Sequence, residues 1–158
     1  MVPLQLETLD RRQFVVGAAT AAAIFALFRS LPASAQATTG DFDSVFKKIV
    51  GDAQPGDSGV EINLPEIAEN GNTVPFTVSV KSPMTKEDHV KAVHLLSTGN
   101  PQATVAAFHF TPASGLANVS GRMRLAKTQD VVAVAELSNG KFLVGKQLVK
   151  VTIGGCGG

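Results

Sequence analysis

The residue in this sequence best equipped for covalent chemistry is Cys156, set in the run Gly154-Gly155-Cys156-Gly157-Gly158. It is the only cysteine of the 158 residues, so neither an intrachain disulfide nor a cysteine-based zinc cluster can form. Four glycines offer no side chains to pack, so residues 154–158 are expected to stand clear of any core as an arm. Fully extended, five residues span roughly 16–18 Å, and without Cβ atoms at four of them the arm is thin enough to enter a narrow cleft. No histidine is close to the thiol in sequence, no helix start follows it, and the nearest cation along the chain is Lys150. Nothing local activates it, so it should be mostly protonated near neutral pH. An unactivated thiol on a swinging arm suits a substrate handed between enzymes better than a catalyst.

Positioning such an arm needs a rigid body with its last element at the surface. Asp41 to Val50 reads as a short amphipathic helix, with Asp41 as its cap and Phe42, Val45, Phe46 and Ile49 at helical spacing. The stretch from Gly51 to Asp57 breaks it. Beyond Gly59 the pattern changes to two-residue alternation, as in Val60-Glu61-Ile62-Asn63-Leu64 and from Val74 to Lys81. Further strands are expected over His89 to Leu96, Ala103 to Thr111, Leu116 to Leu125, Val131 to Leu137 and Lys141 to Ile153. Asn139-Gly140 is the strongest hairpin signal and suits a type I′ turn. The stretch from Ala103 to Phe110 is apolar on both faces, which fits either a central strand or a strand with one face against a partner. Seven short strands with turn residues between them predict a mainly β protein, an immunoglobulin-like antiparallel β-sandwich with a short N-terminal helix.

The first 37 residues read as an address. Arg11-Arg12 precede an apolar run of 15 residues, Phe14 to Phe28, shorter than the roughly 20 a membrane-crossing helix needs. Ala33-Ser34-Ala35 and Ala35-Gln36-Ala37 both offer a small-residue cleavage site, with no cysteine nearby for a lipid anchor. The paired arginines point to twin-arginine export and a periplasmic mature protein, free of the membrane once residues 1–37 are removed. From Gln36 onward 11 Lys and Arg balance 11 Asp and Glu, and the chain has no Trp or Tyr, which gives no footprint for nucleic acid. His89, His94 and His109 show no metal-ligand spacing with carboxylates and read as structural or surface residues.

The ending Val151-Thr152-Ile153-Gly154-Gly155-Cys156-Gly157-Gly158, behind a twin-arginine leader, short helix and β-sandwich, resembles SoxY, the sulfur-carrier subunit of the bacterial Sox thiosulfate-oxidation system. The resemblance spans the chain and divides it into a leader (1–37), a sandwich domain with its helix (38–153) and a carrier arm (154–158). It implies that Cys156 is the covalent sulfur attachment point, that Gly154, Gly155, Gly157 and Gly158 give reach and slimness, and that the chain is not an enzyme and needs no cofactor. It further implies a heterodimer with a SoxZ-like subunit. A haem enzyme would couple thiosulfate to the thiol, a hydrolase would release sulfate, and in some organisms a sulfur dehydrogenase would oxidise the remaining sulfur.

Two other readings compete. A β-grasp carrier would use the terminal carboxylate of Gly157-Gly158, but that chemistry needs ATP, which the periplasm lacks, and the strand-rich pattern leaves no central helix for that fold. A secreted β-sandwich interaction module would use Cys156 for a permanent intermolecular disulfide.

Overall fold

In a computed structural model, the structure describes residues 41–153, apart from the side chain of Asp41. The leader assigned to residues 1–37 and the arm assigned to 154–158 lie outside the described residues.

Helix α1 (Asp41–Val50) comes first, followed by strands β1 (Val60–Asn63), β2 (Ile67–Asn70), β3 (Val74–Val80) and β4 (Val90–Ser97). β5 (Thr104–His109), a 3₁₀ turn (Pro112–Ser114), β6 (Ala117–Met123), β7 (Gln129–Leu137) and β8 (Phe142–Ile153) complete the order. Two sheets result. The smaller has the order β1-β3-β6, and the larger β2-β8-β7-β4-β5. All pairings are antiparallel except β2 with β8. The expected sandwich is therefore present, with eight strands rather than seven.

Period-two patterning builds the interior between the sheets. Val74, Phe76, Val78 and Val80 of β3 turn inward and are buried, while Pro75, Thr77 and Ser79 face away from that layer. Pro75 lacks an amide hydrogen, yet it is tolerated in a middle strand because β1 pairs with β3 only from Thr77 onward. From the larger sheet, Val93 and Leu95 of β4, Val131, Ala133 and Ala135 of β7, and Val149 of β8 meet them. Phe76 and Phe108 bridge the two sheets with ring centroids 6.2 Å apart.

The larger sheet also has an apolar outer face. Val132, Val134 and Leu96 point out of the sandwich and are covered by Val50, Phe42, Val45, Phe46 and Ile49 of α1, joined by Phe142 and Val144 of β8. This explains why β7 is buried from Val131 through Ala135 without alternation: one set of side chains faces the other sheet, and the alternate set faces the helix. Phe42 and Phe46 stack at 5.7 Å on the helix face that does the covering. Gly51 ends α1 in the left-handed conformation at φ 64°, and its N–H donates to the Lys47 carbonyl at 2.7 Å.

Three expectations need correction. The stretch from Ala103 to Phe110 is not a central strand, since β5 is an edge of the larger sheet; Phe108 reaches inward, while Ala107 and His109 are exposed. The Asn139-Gly140 hairpin is not of type I′. Among the described residues Met84 is the only non-glycine with positive φ, so Asn139 is not left-handed. The loop is Ser138-Asn139-Gly140. The Gly140 N–H (φ 77°) donates to the Leu137 carbonyl at 3.0 Å and the Leu137 N–H to the Lys141 carbonyl at 2.9 Å. This is the three-residue hairpin in which a type I turn is followed by a left-handed glycine. The segment Ile67–Asn70, for which no strand is expected, forms β2.

Candidate functional site

The described structure reaches the candidate arm at its root. β8 is 12 residues long, and its two ends are held by different neighbours. Up to Val149 it pairs with β7, where Val149 lies opposite Gln129. From Lys150 it pairs instead with β2, in parallel, with Ile67 opposite Lys150, Ala68 opposite Val151 and Asn70 opposite Ile153.

Side chains and turn backbone reinforce this last stretch. The Lys150 N–H donates to the Glu66 carbonyl at 2.9 Å. The Val151 N–H donates to Thr128 Oγ1 at 3.0 Å, which replaces the partner that β7 no longer offers. Thr152 Oγ1 donates to the Glu69 carbonyl at 3.0 Å, and the Gly71 N–H donates to the Ile153 carbonyl at 2.8 Å. Gly71 is itself fixed, because its carbonyl accepts the N–H of the fully buried Leu125 at 2.8 Å. The backbone is thus anchored to Ile153, whose side chain is 69% exposed. Cys156 stands three residues further on, so its Cα lies at most about 10–11 Å from that of Ile153. Cys156, Gly154, Gly155, Gly157 and Gly158 themselves lie outside the described residues.

The three histidines are not gathered at this root. His89 precedes β4 at the end of the sheet where Val90 pairs with Leu137, opposite to the end where Gln129 meets Val149. Its Nδ1 lies 3.1 Å from the Thr85 carbonyl, and its N–H donates to Ser138 Oγ at 3.1 Å. His94 is half-buried on the outer face of β4, opposite Ala107 and Val134. Burial holds its pKa below the ordinary value; the Glu136 carboxylate pulls the other way and His109 adds to the lowering. His109 is exposed on the edge strand. Among the described residues no group of three or more His, Cys, Asp and Glu side chains could hold a metal ion. Two ion pairs, Lys91 with Glu136 and Lys146 with Asp130 at 3.5 Å, decorate the larger sheet.

The sequence reading picked out the arm and missed its moorings. Gly71 sits among turn-forming residues, Asn70-Gly71-Asn72, but its bond to Ile153 depends on a parallel pairing between segments about 80 residues apart, which local patterning does not encode. Thr128 carries no signal of its own in the sequence.

Among solved structures, the sulfur carrier protein SoxY from Chlorobium limicola f thiosulfatophilum superimposes with a TM-score of 0.60 at 33% identity, covering 72% of this chain and 97% of that one. A superoxide reductase (neelaredoxin) from Ignicoccus hospitalis superimposes with a TM-score of 0.54 at 18% identity, covering 60% and 80%, a likeness of fold alone. A search of curated protein sequences gives no match. The family described as sulfur oxidation protein SoxY matches residues 46–156, a span that takes in the second half of α1, both sheets, the moored end of β8 and the cysteine beyond it. By that span, and by its likeness to a SoxY structure along nearly the whole of that protein, this chain belongs to the SoxY family.

Proposed function

We propose that the chain is a covalent sulfur carrier of thiosulfate oxidation, with Cys156 as the attachment point. The observation that carries this reading is that the SoxY family match runs to residue 156, the position of the cysteine, directly beyond a strand moored at Ile153. A carrier needs a fixed base and a thiol that another protein's pocket can receive. The four anchors around Lys150–Ile153 supply the base. The glycines on either side of Cys156 present no side chain to obstruct entry.

The chemistry on the thiol proceeds in two balanced steps. A haem enzyme removes two electrons as the thiol and thiosulfate join: Cys-SH + S₂O₃²⁻ gives Cys-S-S-SO₃⁻, one proton and two electrons. A hydrolase then adds water across the sulfur–sulfonate bond: Cys-S-S-SO₃⁻ + H₂O gives Cys-S-SH, SO₄²⁻ and one proton. Both adducts stay on the reversible rungs of cysteine chemistry and regenerate the thiol when the remaining sulfur is removed. The partner enzymes supply the activation; this chain supplies the sulfur atom and its reach. Export through the twin-arginine route, action in the periplasm and pairing with a SoxZ-like subunit belong to the same reading.

Intact-mass analysis of the carrier after incubation with thiosulfate and the coupling haem enzyme tests it. The wild type should gain a reductant-labile mass on its C-terminal peptide, and Cys156→Ser should gain none. A stable cross-linked dimer as the sole product would instead support the disulfide-linked interaction module.

A further inference from the structure

Apart from the arm, the larger sheet carries a second feature at the same end. Among the described residues its outer face is only partly covered, because α1 lies over Val132, Val134, Phe142 and Val144 and not over the stretch of β8 beyond Lys146. There Leu148 is 51% exposed and Ile67, on the neighbouring β2, is 56% exposed. Together with Glu66, Gln147 and Lys150 they line an open groove of about 310 Å³. Gln147 is held in place, since its Nε2 donates to the Leu64 carbonyl at 2.8 Å. With Ile153 at 69%, three of the four exposed large hydrophobic side chains among the described residues lie on the β2–β8 seam. The fourth, Leu116 at 73%, lies next to Ala117, which pairs with Val80. That is the far end of the sandwich, because the arm-root end of the same strand pair is Met123 opposite Val74.

We propose that the Ile67–Leu148 groove is the docking surface for the enzymes that receive Cys156. The inference rests on the carrier reading above, and the choice of occupant follows from reach. An acceptor must bring the mouth of its pocket to within about 10–11 Å of Ile153 to meet the thiol. At a rise of about 3.3 Å per residue, Ile67, opposite Lys150, is about 10 Å from Ile153 along the strand, and Leu148 about 16 Å. A specific interface covers roughly 800 Å² on each partner, a disc of about 16 Å radius. A partner centred on the arm root therefore extends over this groove, whose apolar side chains gain burial from that contact.

The test uses the intact carrier complex and the purified thiosulfate-coupling enzyme, with adduct formation followed by intact mass at varied carrier concentration. The variants are Ile67→Thr and Leu148→Thr, singly and together, since threonine keeps strand preference while removing apolar surface. Leu116→Thr is the control. The double variant should raise KM for the carrier about tenfold with kcat unchanged, and Leu116→Thr should match wild type. An unchanged KM in the double variant overturns the proposal. So does an equal effect of Leu116→Thr, and so does dissociation of the carrier's own subunit partner on gel filtration, which would assign the groove to that interface. If the wild-type thiol takes up no sulfur at all, the carrier reading itself fails and the docking surface falls with it.

Discussion

Deleting Gly154 and Gly155 would place Cys156 directly after Ile153 and cut its reach from about 10–11 Å to about 3.5 Å, a loss of about 7 Å. The body can return that length only by releasing two residues, Thr152 and Ile153, from β2. Release breaks the bond from Thr152 Oγ1 to the Glu69 carbonyl and the bond from the Gly71 N–H to the Ile153 carbonyl. At a net worth of about 1 kcal/mol each, these two bonds alone set the cost of loading the shortened arm at about 2 kcal/mol or more, since the ladder bonds of the Asn70–Ile153 pairing break with them. That corresponds to a fall of at least about 30-fold in kcat/KM for thiosulfonate formation by the coupling enzyme. Iodoacetamide needs no recess and should alkylate both proteins at the same rate. Adding Thr152→Val to the deletion breaks one mooring in advance and should restore about fivefold of the lost rate. Enzymatic loading of the shortened arm at the wild-type rate would refute the premise that the base is fixed at Ile153. An equal loss toward iodoacetamide would show that thiol reactivity had changed and reach had not.

Gly121 faces the ring of Phe76, and a Cβ there would stand 2.8 Å from its Cζ. Because Phe76 is buried and leans on Phe108, Gly121→Ala should destabilise by about 1–3 kcal/mol in urea. The same change in a Phe76→Leu background should be close to neutral; a cost that persists there would mean the ring is not the obstacle. His94 titrates below its ordinary value of 6.5, so the folded state binds fewer protons there than the unfolded chain. Its contribution is intact above about pH 6.5 and is lost as the pH falls below it, so urea midpoints should drop more between pH 7.5 and 5.5 for wild type than for His94→Gln. Identical slopes would remove His94 from the account.

Much of this fold is written locally. Val74-Pro75-Phe76-Thr77-Val78-Ser79-Val80 alternates as a half-buried strand must, and the structure buries its valines and Phe76 as that pattern demands. β2 escaped notice because only Ala68 of its four residues is buried, and its partner is a parallel strand some 80 residues away. The edge position of β5 was hidden for a related reason: alanines at 106 and 107 look apolar in sequence, yet their small side chains place little demand on a neighbour. The helix was legible from Phe42, Val45, Phe46 and Ile49, but what it covers was not. The outward set on β7, Val132 and Val134, becomes a second apolar layer only once the sheet exists. At the site, composition alone exposed the glycine-flanked cysteine. Its moorings at Gly71, Thr128 and Glu69 depend on tertiary contacts and leave no trace in local spacing.

The seat of β8 between two neighbours also has a mechanical meaning. A pull directed along the strand axis would load the β2 bonds from Lys150 to Ile153 together rather than one after another. Behind them stand the rungs to β7, from Val149 back to Phe142. A terminal strand hung at a sheet's rim and tugged sideways would peel rung by rung; this one is loaded in shear. The protein can therefore be drawn upon at its tip, cycle after cycle, without being unravelled from that end.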